Sequence, residues 1–150
     1  MQMNHPLWPV VRESARRNLS AVAGVTGKDL DDLSKNALEV AGQTRFTAIE
    51  VVKLQTELSK LGLSAKEVQA ATSSISFAAQ ALGEDVGTTA QQVGKLIRQF
   101  NLLAEDSDEI SDILVTTINN SALSLNSFST AIQYIGPIAS DLGLSLQQTA

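Results

Sequence analysis

The feature that most constrains this 150-residue chain is a punctuated rhythm. From Lys28 to the last residue, a short polar cap followed by a helical apolar stripe recurs about every twenty residues. The caps share one chemistry: Ser or Thr, two residues of any kind, then Glu, Gln or Asp. They stand at Thr26/Asp29, Thr47/Glu50, Ser64/Glu67, Thr88/Gln91 and Ser145/Gln148. In a capping box the hydroxyl accepts from the amide three residues on, and a Glu or Gln there reaches back to the cap's own amide. Each such cap is worth roughly 1 kcal/mol. A chain with this many starts folds as a set of short helices and not as one rod.

The stripes between the caps keep helical spacing. Val10 to Ala23 reads as a helix with Arg12, Arg16 and Arg17 on one side, broken by Gly24 and Gly27. Leu30, Leu33, Ala37, Leu38 and Ala41 follow, ended by Gly42. The Thr47 helix carries Val51, Leu54, Leu58 and Leu61, with Gly62 as its stop and Leu63 as the apolar residue beyond it. The Ser64 helix carries Val68, Ala71, Ile75, Ala78 and Leu82, and Gly83 and Gly87 flank the next turn. After Thr88 come Ala90, Val93, Ile97 and Phe100, with Asn101 as a left-handed stop. Asp106 or Ser107 opens a helix through Ile110, Ile113, Leu114 and Ile118. Asn126 opens another through Phe128, Ile132, Ile135, Ala139 and Leu142, stopped by Gly143.

Strand signals are absent, and no proline stands between Val10 and Gly136. The predicted fold is all-α: an array of short antiparallel helices, as helical hairpin repeats or an irregular bundle, with no β-sheet. A hydrophobic fraction of 43%, rich in small apolar residues and only 4% aromatic, suits close helix-on-helix packing. Pro137 falls inside a stripe that continues across it, so a kinked helix is expected there and not an ended one.

A shift of 42 residues places Val68 on Ile110, Val86 on Phe128, Ala90 on Ile132, Val93 on Ile135, Gly94 on Gly136 and Phe100 on Leu142. The period fits two-helix repeats. The reading divides the chain into residues 1–27, a lead-in with one helix, and residues 28–150, a helical-repeat region. Ser145 opens a helix one turn before the last residue, so the region is expected to be truncated at its C-terminal end and to belong to a larger protein. Apolar faces around Ile138, Leu144 and Leu146 are then expected to favour self-association.

Reaction chemistry finds little support. The formal charge of −5 gives no electrostatic ground for binding phosphate backbones. No cysteine is present, and His5 is the single histidine, so neither a zinc site nor a histidine dyad is available. Gly24-Val25-Thr26-Gly27-Lys28-Asp29 resembles a phosphate loop only faintly: it lacks the glycine at Val22, the hydroxyl at Asp29 and a preceding strand. Glu105, Asp106, Asp108, Glu109 and Asp112 form the densest acidic run, but a calcium loop would need glycine at Ser111 and glutamate at Thr117. Acids at a helix N-terminus are the simpler account. No catalytic, cofactor-binding or metal-ligating residue is assigned, and no apolar run reaches the ~20 residues that span a bilayer.

Several ordered motifs resemble the core region of phage tail tape measure proteins. They are Gly27-Lys28-Asp29-Leu30 leading to Leu33, Thr44-Arg45-Phe46-Thr47-Ala48 with Glu50, and Leu61-Gly62-Leu63-Ser64 with Glu67. Ile132-Gln133-Tyr134-Ile135-Gly136-Pro137-Ile138-Ala139 and Leu142-Gly143-Leu144-Ser145-Leu146 complete the set. The resemblance runs from about Ala15 to Ala150; Met1 to Val10 lies outside it. It implies a structural virion protein that sets tail length, templates tail-tube assembly and takes part in genome delivery, with no enzymatic role. The implied partners are tail-tube and baseplate or initiator proteins and tail assembly chaperones. No specific nucleic acid and no membrane contact are implied. The implied location is the lumen of the virion tail tube, and the host cytoplasm during assembly. The alternative is a generic α-helical repeat adaptor that binds a protein partner.

Overall fold

The computed structural model describes residues 13–121, 123–141 and 146–149. Among these the chain is all-α, without strands. The helices are α1 (Glu13–Ala23), α2 (Gly27–Gln43), α3 (Ala48–Lys60), α4 (Ala65–Leu82) and α5 (Val86–Gln99). A 3-10 turn (Ala104–Asp106) leads into α6 (Ser107–Asn119), and α7 (Leu125–Asp141) and the short α8 (Leu146–Thr149) follow. α7 runs through Pro137 without a break, as the uninterrupted stripe requires.

The packing order is regular. α1 lies on α3, α3 on α5 and α5 on α7; α2 lies on α4 and α4 on α6. The odd-numbered helices therefore form one layer and the even-numbered ones a second. Contacts of α3 with α2 and α4, and of α4 with α5, close the layers on each other. From α1 to α5 each helix meets its sequence neighbour and the helix two places on, the arrangement of stacked two-helix units.

Helix boundaries carry the repeat. α4 and α6 begin 42 residues apart, and α5 and α7 end 42 residues apart. An earlier unit is also present: α2 and α4 begin 38 residues apart, as do α3 and α5. The step grows from 38 to 42 because α5 is one residue longer than α3 and the link after it is seven residues instead of four. At the 38-residue step, Leu33/Ala71, Ala37/Ile75, Val40/Ala78, Ala48/Val86, Val52/Ala90 and Leu58/Leu96 are buried in both units. Large and small residues exchange between units, which hides the match in the sequence and keeps the core filled. Ser34 and Thr72, also 38 apart, are both buried, and each hydroxyl donates to the carbonyl four residues back. The 42-residue pairs Val68/Ile110, Val86/Phe128 and Ala90/Ile132 are buried too. The remaining pairs of that register reach side chains outside the described residues.

The breaks fall where the glycines and caps place them. Thr47 and Ser64 form complete capping boxes with Glu50 and Glu67. Gly62 closes α3 at φ 92, with its N–H on Ser59 O and the Leu63 N–H on Leu58 O, while Leu63 itself is buried. Asn101 ends α5 in the same way at φ 52, with Leu102 N–H on Ile97 O. These are paired C-terminal bonds that need a left-handed residue between them.

Three caps differ from expectation. Thr26 precedes α2 but makes no side-chain cap bond. Gly27 at φ 59 turns the chain between the Thr26 hydroxyl and the first-turn amides. Thr88 is not the cap of α5. Asp85 is, accepting from Thr88 N at 2.9 Å, so Gly87 and Thr88 lie in the first turn. Asp caps as well as Thr does, and the earlier start turns Val86 and Thr89 onto the buried face. Asn126 lies inside α7, where Ser124 Oγ accepts from Ser127 N instead. Ser145 and Gly143, like Met1 to Val10, lie outside the described residues.

Candidate interaction surface

The caps that start α3 and α5 also build the outer face of the odd-numbered layer. A cleft of about 400 Å³ is lined there by Asn18 of α1, Glu50, Lys53, Glu57 and Lys60 of α3, and Asp85 and Gln91 at the start of α5. A neighbouring cleft of about 600 Å³ shares Asn18, Glu50 and Lys53, and adds the more apolar Ala15, Ile49 and Val52.

The carboxylates of this face are engaged in structure. Glu50 Oε2 accepts from Thr47 N at 2.8 Å and Asp85 Oδ2 from Thr88 N at 2.9 Å. Glu57 Oε2 accepts from Gln91 Nε2 at 2.9 Å, and its Oε1 accepts from Lys60 Nζ at 3.0 Å. The Gln91 bond, more than the Lys60 ion pair, holds the Glu57 carboxyl below its ordinary range, with burial acting the other way. Its effect is to tie α3 to α5 across the cleft. A general acid or base needs a group free to meet its substrate; these carboxylates are hydrogen-bonded to their own scaffold. The face is suited to mixed-charge docking.

The structure also places the residues that the sequence singled out for chemistry. Gly24 to Thr26 forms the link between α1 and α2, with Ser20 Oγ donating to Val25 O at 2.6 Å, and Gly27 opens α2. The acidic run is wound into the 3-10 turn and the first turns of α6, where the helix dipole accommodates its charge. Among the described residues, no three His, Cys, Asp or Glu side chains are arranged to hold a metal ion. Nor is any described helix long and apolar enough to cross a membrane. His5 lies outside the described residues.

Sequence reasoning missed the polar ties between helices. Arg16 is not on an outer face with Arg17; it is buried between α1 and α2, where it donates to Asp31 Oδ1 at 2.8 Å and Ser34 Oγ at 3.3 Å. Its spacing three residues before Leu19 was the available signal. Gln55, fully buried, donates from α3 to Leu33 O of α2 at 2.9 Å. Arg45 joins the α2–α3 link to the end of α4: its N–H donates to Gln80 Oε1 at 2.7 Å and its guanidinium to Glu84 O at 3.2 Å.

Comparison with known proteins finds relatives over most of the chain. The tape measure protein of Pneumococcus phage Dp-1 is 25% identical over 132 residues, 88% of this chain and 12% of its own length. The probable tape measure protein of Escherichia phage P2 is 28% identical over 142 residues, 92% of this chain and 17% of its own length. The tape measure protein of Lactococcus phage F4-1 is 31% identical over 110 residues, 71% of this chain and 28% of its own. The chain thus spans between about an eighth and a quarter of these relatives' length. No solved structure matches it. The description "phage-related minor tail protein" fits residues 34–150, from within α2 onward, and the chain belongs to that family.

Proposed function

We propose that this chain is a segment of a tape measure protein of a phage or prophage tail, where the whole polypeptide sets tail length, templates the tube and takes part in genome delivery. The observation that carries the reading is the similarity to three proteins named as tape measures, each aligned over most of this chain. The segment acts as a folded, non-catalytic docking module in the tail and, before that, in the host cytoplasm. Its outer faces meet tail-tube and baseplate or initiator proteins and assembly chaperones. The engaged carboxylates of the α1–α3–α5 face support a binding role over a chemical one.

A nonsense codon at Lys28 in a phage that encodes the chain tests the proposal. Loss of tails, or tails of irregular length, with rescue by the intact gene in trans, is the expected result. Virions with tails of normal length in the absence of the protein would overturn it.

A further inference from the structure

The even-numbered layer carries a cleft that the docking face above does not use. It lies between α4 and α6, holds about 230 Å³, and is lined by Ser74, Phe77 and Ala78 of α4 and by Asp108, Ser111 and Asp112 of α6. Its floor is made of small residues. Phe77 forms one wall and is 42% exposed, although it is a large aromatic side chain on a well-packed helix. Asp108 and Asp112 form the other wall, one helical turn apart, so both carboxylates face the same side.

Two further observations point to a ligand. Ser111 is only 5% exposed and its hydroxyl has no hydrogen-bond partner, although the residue lines the cleft. A buried hydroxyl left unpaired costs about 1–3 kcal/mol. The neighbouring hydroxyls are paired: Ser74 Oγ donates to Asp108 Oδ1, and Ser107 Oγ lies 3.2 Å from Ser74 Oγ. The second observation is electrostatic. Among the described residues no ion pair reaches Glu105, Asp106, Asp108, Glu109 or Asp112, and the chain has no Lys or Arg after Arg98.

We infer that this cleft receives an arginine side chain from a partner protein. The guanidinium stacks on Phe77, its N–H groups donate to the carboxylates of Asp108 and Asp112, and the buried Ser111 hydroxyl, turned toward the cleft by rotation about its Cα–Cβ bond, accepts the remaining inward N–H. Arginine fits better than lysine because its planar fork suits two carboxylates and its face suits an aromatic ring. The inference does not depend on the tail assignment, since it rests on the cleft alone.

The test is a titration of the intact chain, followed by amide NMR shifts, with a capped alanine-based helical peptide bearing one arginine. Peptides with lysine or neutral citrulline in its place are the comparisons. Saturable shifts at Ser74, Phe77, Ser111 and Asp112 with the arginine peptide, weaker binding of lysine and none of citrulline are expected. Phe77→Ala and Asp112→Asn should each weaken binding roughly threefold to tenfold, with helicity by circular dichroism unchanged. Ser111→Ala should weaken it less. No saturable shift, equal binding of the citrulline peptide, or binding unaffected by both variants would overturn the inference. So would sedimentation showing that the chain fills the cleft with a second copy of itself, as a dimer lost in Asp112→Asn.

Discussion

Replacing Gln55 with methionine should stabilise the fold, although Gln55 is the most deeply buried amide among the described residues. Its Nε2 donates to Leu33 O at 2.9 Å and, more weakly, to Asn36 Oδ1 at 3.3 Å. Its Oε1 is buried without a partner. An unpaired buried acceptor costs about 1–3 kcal/mol, and a made hydrogen bond returns a net of about 0.5–1.5 kcal/mol. Methionine removes the orphan at nearly equal volume, a change that cores accept. The losses are small: Leu33 O sits inside α2, where the helix already supplies it with a bond, and Asn36 is only half-buried and keeps water. The balance is a gain of about 0.5–1.5 kcal/mol for Gln55→Met. With a urea slope of roughly 1–3 kcal/mol per molar, the unfolding midpoint should rise by about half a molar at unchanged slope. A fall of about 1 kcal/mol or more would refute the reasoning, by showing that the amide carbonyl is satisfied or that the α2–α3 tie outweighs its cost.

Four further outcomes are expected. Ser64→Ala should cost about 1 kcal/mol in chemical unfolding, because both bonds of its box are made, whereas Thr26→Ala should change little, because Thr26 makes none. A Cβ on Gly94 would stand 2.3 Å from Leu61 Cδ1, a movable tip, and 3.4 Å from Leu58 Cδ2. Gly94→Ala should therefore stay within about 1 kcal/mol of the parent, helix propensity offsetting the contact, while Gly94→Val loses about 2–3 kcal/mol against buried Leu58, both read from thermal melts. Glu57 is held below its ordinary value of 4.5, so its contribution is present above that value and is lost as the pH falls through the lowered one; Glu57→Gln should flatten the acid limb of stability against pH. Duplicating residues 27–64 in frame in a phage that encodes the chain should leave mean tail length, measured by electron microscopy, unchanged to within about 10 Å.

Local signals were legible wherever one short-range interaction decides the geometry. Thr47, Ser64, Gly62 and Asn101 act where the sequence places them because each satisfies backbone groups within one turn. Asp85 and Ser124 were misread because several capping residues compete within four positions, and burial of Val86 or Leu125 chooses among them. The 42-residue register was visible because Gly94 falls on Gly136 and the ends of α5 and α7 coincide at that shift. The 38-residue register was not, because Leu33/Ala71 and Ala37/Ile75 trade volume across the interface. The α4–α6 cleft had no sequence signature: Phe77 and Ser111 are ordinary helix residues, and only the stacking of α4 on α6 brings them together beside Asp108 and Asp112.

If the proposed function holds, the outcome expected of the duplication follows from what a ruler can count. Drawn out as one helix, 38 residues span about 57 Å at 1.5 Å each. Folded as a two-helix unit, the same residues add one helix to each layer, and packed helices sit about 8–10 Å apart. A residue in the array therefore contributes roughly a sixth of the length that it would contribute in an extended helix. Unwinding the units would also expose Leu33, Leu54, Leu58, Val68 and Ile75, each fully buried. At about 25 cal/mol per Å² of apolar surface, that loss has to be repaid by contacts inside the tube. A tail lengthened by about 57 Å per added unit would mean that those contacts exist and that this segment is itself part of the measured length. An unchanged tail would mean that the segment keeps its fold and that length is counted elsewhere in the polypeptide, with the capped helices reserved for docking.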